Sequence, residues 1–178
     1  QQTLRKNYSF EGKGLHTGKV AKMTICPAPA DTGIRFIRTD IGDDAVIEAL
    51  AENVSNTARS TTISKGNASV ATIEHIMSAL TGMGVDNALI EIDNVEVPIL
   101  DGSAKPYIDA IWADGFVQQN EPRKYIEIKE TVEVVNEEVG SIVRIEPAEE
   151  FSYDIKVDFN SKVLGVQHAV WNPSTVYA

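Results

Sequence analysis

The chain has 178 residues, 43% of them apolar, and a formal net charge of −10. That length and apolar content support a buried core in one domain or one and a half. The acidic balance argues against a general nucleic-acid binder, which needs a basic face. No run of about 18 apolar residues occurs, so nothing reads as a transmembrane helix. The single cysteine, Cys26, excludes an internal disulfide and fits a reducing cytoplasm.

In chain order, Thr3 to Glu11 is mixed and is broken by Gly12-Lys13-Gly14-Leu15-His16-Thr17-Gly18. Glycines this dense predict a tight turn with backbone close to something. Val20 to Cys26 predicts a strand, Pro27 to Gly33 a turn, and Ile34 to Ile37 a second strand. Val54 to Ile63 is polar but β-prone, and Gly66-Asn67 follows as a turn. Thr72 to Gly84 then reads as a helix. Ile73, Ile76, Met77, Leu80 and Met83 form one apolar stripe, Thr72 is placed to cap it, and Gly82 or Gly84 to end it. Asn87 to Ile92 alternates as a strand. Ser103 is placed to cap a second helix, Ala104 to Asp114, with Ile108, Ile111 and Trp112 on its buried side. After a linker candidate at Asn120–Arg123, Tyr125–Ile128, Val132–Val135, Ile142–Ile145 and Tyr153–Phe159 read as strands.

These elements predict an α+β fold: a layered sheet-and-helix domain over residues 1–121, and the opening strands of a second similar domain over 124–178. Pro27-Ala28-Pro29-Ala30 and Glu146-Pro147-Ala148-Glu149 both lie between predicted strands, which suggests a duplicated module. The second unit shows no helical pattern. The sequence therefore predicts a piece of a longer protein.

The chemistry concentrates at the start of the first helix. At roughly 100° per residue, Glu74 and His75 both fall off the apolar stripe. The pair reads either as surface residues, with an acid favoured at a helix N-terminus, or as a metal ligand beside a general base. His16 sits in the glycine turn, as a solvated loop residue or as a polar group in a site. His168 has no supporting context. Asp101-Gly102-Ser103 reads as a turn and cap. Asn56-Thr57-Ala58-Arg59-Ser60-Thr61-Thr62 fits an edge strand or the lining of a wet pocket, with Arg59 best suited to an anion. The histidines are His16, His75 and His168 alone, with no His-Glu-x-x-His, so spacing assembles no complete metal site.

Several stretches in fixed order add to this: Gly14-Leu15-His16-Thr17-Gly18, Pro27-Ala28-Pro29-Ala30-Asp31-Thr32-Gly33, Arg38-Thr39-Asp40, Thr72-Ile73-Glu74-His75, Gly84-Val85-Asp86-Asn87 and Pro98-Ile99-Leu100-Asp101-Gly102-Ser103-Ala104. Together they resemble the UDP-3-O-acyl-N-acetylglucosamine deacetylases of Gram-negative lipid A synthesis. The match continues through Ile128–Val132 and Val157–Asn160. The resemblance implies a cytoplasmic zinc amidase that removes acetate from a UDP-linked, 3-O-acylated glucosamine. By position, His75 matches a zinc ligand, Glu74 the general base, and His16 the histidine of a loop near the site. Thr57, Arg59 and Ser60 fall in the segment bordering the metal, with Arg59 departing from the family's usual residue.

The family's remaining zinc ligands, a second catalytic histidine and an acyl-chain passage belong to segments with no counterpart before Ala178. The resemblance thus implies that this chain carries Glu74 and one ligand, is inactive alone, and holds zinc weakly or not at all. A binding or docking module for a nucleotide sugar or a partner chain is the alternative reading. A peripheral membrane contact and self-association through exposed second-unit strands are left open, and no nucleic-acid partner is expected.

Overall fold

The computed structural model describes residues 1–42 and 44–172. They divide into two compact units, with the boundary between Arg123 and Lys124. In chain order the first unit runs β1 (Gln2–Leu4), β2 (Tyr8–Lys13), β3 (Val20–Pro27), β4 (Ile34–Arg38), β5 (Val46–Glu48), a 3-10 turn (Ala51–Asn53), β6 (Val54–Asn56), β7 (Thr62–Lys65), β8 (Ala68–Val70), α1 (Glu74–Gly82), β9 (Ala88–Ile92), α2 (Lys105–Trp112) and β10 (Phe116–Gln118). The second contributes β11 (Val132–Asn136), β12 (Ser141–Ile145), β13 (Tyr153–Asp158) and β14 (Val166–Trp171).

A five-stranded sheet in the order β2-β3-β9-β4-β5 carries the first unit. Its pairings are antiparallel except β4 with β9, which run parallel. Alternation decides its faces: β3 buries Ala21, Met23 and Ile25 and exposes Val20 and Lys22. Ala88, Ile90 and Ile92 of β9, Phe36 of β4 and Ile47 of β5 join the same apolar cluster. The apolar stripe of α1 fills it from above, with Ile76, Ala79 and Leu80 fully buried and Ile73 and Met83 nearly so. A three-stranded sheet, β6-β7-β8, and the β1–β10 pair complete the unit. This is an α+β architecture.

In the second unit, β11 pairs with β12 and β13 with β14, both antiparallel. The Pro147 stretch joins the two hairpins, as Pro27–Ala30 joins the hairpins β2–β3 and β4–β5 in the first unit. Among the described residues, all the buried apolar ones belong to the first unit, whereas Val134, Ile142, Val143 and Ile155 of the hairpins are exposed. No helix among the described residues is long and apolar enough to cross a membrane.

Four local expectations change. Tyr125–Ile128 is not a strand; its alternation is right, but no strand among the described residues pairs with it, and a strand needs a partner for its backbone groups. Trp112 is exposed on α2, where Tyr107 and Ile111 face the core and Ile108 is half-buried; the Trp112 ring instead meets Phe116 edge-on, centroids 5.9 Å apart. Thr72 makes no cap to α1. Ser103 lies just outside α2, yet its Oγ accepts the Lys105 N–H at 3.1 Å and so satisfies one open donor.

Candidate active site

The start of α1 is built by three segments that meet there. Ala71 bridges to the chain at Glu96: its N–H donates to Val95 O at 2.9 Å, and Val97 N–H donates back to Ala71 O at 3.1 Å. The next residue, Thr72, adopts φ +61°, a left-handed conformation rare for a β-branched residue. That turn launches α1, so Glu74 and His75 occupy its first turn, both half-buried. Ile73 N–H donates to Thr61 O at 3.3 Å, and Thr61 N–H donates to Glu74 Oε2 at 2.9 Å. The helix start is thereby fastened to the loop between β6 and β7.

That loop holds Thr57, Arg59 and Ser60. Ala58 N–H donates to Asn56 Oδ1 at 2.8 Å, an Asx turn, and Arg59 then takes φ +63°. Thr57 and Arg59 are exposed and Ser60 is half-buried. Thr61, which follows these three residues in the loop, is the one whose N–H reaches Glu74. Two of the left-handed non-glycine residues, Arg59 and Thr72, therefore flank one helix terminus. Such strain persists only where the surroundings enforce it.

The glycine turn is the third segment. Gly14 N–H donates to Lys19 O at 2.9 Å and Gly18 N–H to Gly14 O at 3.1 Å, closing the β2–β3 loop with His16 exposed on it. Glu96 fastens this loop. Its Oε1 accepts the His16 N–H at 2.9 Å and the Thr72 hydroxyl at 2.9 Å, and its Oε2 accepts the Thr17 N–H at 2.8 Å. Thr72 stands one residue before the N-cap place, which Ile73 holds, and its left-handed backbone differs from the extended one of a capping residue, so its hydroxyl serves Glu96 and not the helix. Gly14 is required by close approach, since a Cβ there would stand 2.6 Å from the Glu96 carboxyl carbon.

Sequence reasoning passed over Glu96. A signal was available: it is a lone acid amid Val95, Val97, Pro98, Ile99 and Leu100. An acid in such a run is buried and must find donors.

Glu74 and His75 thus lie on a helix start that is bonded directly to the loop of Thr57, Arg59 and Ser60 and, through the Glu96 carboxylate, to the loop of His16. His168 does not join them. It sits on exposed β14 and pairs with Asp154 Oδ1 across the hairpin at 2.7 Å. Asp101 also serves local structure, accepting the Ser103 N–H at 2.9 Å. Among the described residues, no three His, Cys, Asp or Glu side chains converge as a metal site would require. His75 is the one imidazole at this terminus, and the described residues do not complete a zinc site around it.

A family model described as LpxC: UDP-3-O-acyl N-acetylglycosamine deacetylase matches residues 1–177. The chain belongs to that family. It is 44% identical over 175 residues to the UDP-3-O-acyl-N-acetylglucosamine deacetylase of Helicobacter hepaticus, covering 98% of this chain and 57% of that protein. It is 52% identical over 136 residues to the protein of the same name from a Geobacter species, covering 76% and 45%. Against the bifunctional enzyme LpxC/FabZ of Porphyromonas gingivalis, identity is 48% over 169 residues, covering 95% and 37%. The chain therefore spans from about a third to under three fifths of the length of these deacetylase-family relatives.

Proposed function

We propose that the complete gene product containing this chain hydrolyses the acetamide of a UDP-3-O-acyl-N-acetylglucosamine in lipid A synthesis. Glu74 acts as general base and His75 as one zinc ligand. The observation that carries this reading is the fixed first turn of α1. There a half-buried carboxylate and an imidazole lie side by side, with Glu74 Oε2 held by Thr61 N–H. The relatives' printed names supply the substrate.

With Oε2 engaged, Glu74 Oε1 is the atom to take the proton of the attacking water. Water oxygen bonds to the acetyl carbon, and the proton passes by way of Glu74 to the departing nitrogen as the C–N bond breaks. Acetate and a free amine result. A held carboxylate suits this, because general-base catalysis depends on geometry before pKa. A neutral imidazole is a good zinc donor, and the other donors must come from beyond the described residues. His16, Thr57, Arg59 and Ser60 would line the substrate's path, with the Arg59 guanidinium able to meet an anionic group.

The two units fit the same reading: residues 1–121 as the α+β domain carrying Glu74 and His75, and 124–178 as the opening part of a second. The test is acetate release from UDP-3-O-acyl-N-acetylglucosamine by the complete gene product. Release with stoichiometric free amine is expected. Absence of release by a folded, zinc-supplied protein would overturn the proposal.

A further inference from the structure

Glu96 is 1% exposed, and no other acidic side chain among the described residues is buried. A buried carboxylate is costly unless its oxygens are satisfied. Its partners here are neutral: two successive backbone N–H groups of the glycine loop and the hydroxyls of Thr17 and Thr72. They come from both sides of the site, and one oxygen, Oε1, is shared between His16 N–H and Thr72 Oγ1. The glycine loop therefore stands two hydrogen bonds from the strained residue that precedes Glu74 and His75 by two and three positions. A local cap would need only one of these segments. Gly14 points the same way, because any side chain there would displace the carboxylate.

We propose that Glu96 is a positioning residue: its carboxylate locks the His16 loop to the left-handed turn at Thr72, and so fixes His16 against the base and the zinc-ligand candidate. This rests on the reading of Glu74 and His75 given above. An amide side chain cannot do the same work. If the oxygen of Glu96→Gln keeps His16 and Thr72, its NH2 faces the Thr17 N–H, donor against donor. Thr72→Val removes the hydroxyl while keeping the β-branch, and Thr72→Ser keeps the hydroxyl.

Two measurements test the lock. On this chain, amide hydrogen exchange at His16 and Thr17 should quicken about tenfold or more in Glu96→Gln, while Ile25 and Ile90 in the sheet stay protected. Unchanged exchange at His16 and Thr17 overturns the lock whatever the protein catalyses. On the complete gene product, Glu96→Gln and Thr72→Val should each lower kcat by about tenfold to a hundredfold, as misplacement does. The double variant should be no slower than the slower single, because both break one link. Thr72→Ser should restore turnover.

Multiplying effects in the double variant, or unchanged kcat in Glu96→Gln with the loop released, overturn the positioning role. If Glu96→Gln fails to fold, Thr72→Val, which leaves the carboxylate and its two loop bonds in place, is read for kcat alone: a fall of about tenfold or more supports the positioning role and an unchanged kcat overturns it. A wild-type protein that releases no acetate instead overturns the deacetylase reading and the catalytic role of the lock, and the exchange result alone decides whether the tether exists.

Discussion

Burial pushes the Glu96 carboxyl up, but the hydrogen bonds from His16, Thr17 and Thr72 outweigh it and hold the group below the ordinary glutamate value of 4.5. A folded-state pKa below the unfolded one adds stability that is present above the unfolded value and lost as pH falls through the folded one. Urea midpoints of wild type and Glu96→Gln should therefore differ most at neutral pH and converge as pH drops below about 4.5. A gap that widened on acidification would contradict the assignment. His75 makes a separate prediction in the complete gene product: His75→Ala should lower zinc content measured by atomic emission, whereas Thr57→Ala should not. The place of Glu74 and His75 in the first turn of α1, off its apolar stripe, was legible in the sequence because the stripe is otherwise regular. The lock was not, since His16 and Glu96 are 80 residues apart in the chain and are brought together by tertiary contacts such as the Ala71–Glu96 bridge and the Ile99 N–H bond to Lys13 O.

At the scale of elements, α1 is positioned by packing more than by capping. Ile73 in the N-cap place offers no side-chain hydrogen bond, and the stripe is buried against the sheet. Leu80→Ala, at a fully buried position, should cost about 2–5 kcal/mol of unfolding free energy in urea titration. A loss under about 1 kcal/mol would mean that the helix is held otherwise. The helix, β3, β4 and β9 were readable from their periods. Strands β5 and β8 have three residues each, too few for a period to show. β2 was obscured by Ser9, Glu11 and Gly12, although Tyr8 and Phe10 alternate inward. β14 was missed because Gln167 and His168 mask the alternation that pairs it with β13. The Thr72 expectation failed for a physical reason: its left-handed turn sets α1 one residue further on, so that Ile73 takes the N-cap place and the Thr72 hydroxyl faces Glu96 instead.

For the whole molecule, every buried apolar side chain among the described residues lies between Leu4 and Ile111. Residues 1–123 should thus unfold cooperatively when produced alone, with a single sigmoidal transition by circular dichroism. A gradual, non-cooperative loss of signal would contradict that. The α+β class was legible from the sequence, and the family from its ordered motifs. Which residues complete a metal site was not, because one histidine and one glutamate define no coordination geometry.

The central claim is that the first turn of α1 carries the base of an amide hydrolase. Single-turnover acetate release by the complete, zinc-loaded gene product tests it most directly when wild type is compared with Glu74→Gln at equal zinc content. The expected result is a loss of about a hundredfold to ten-thousandfold with zinc and fold retained. Glu74→Gln turning over within about threefold of wild type would contradict it.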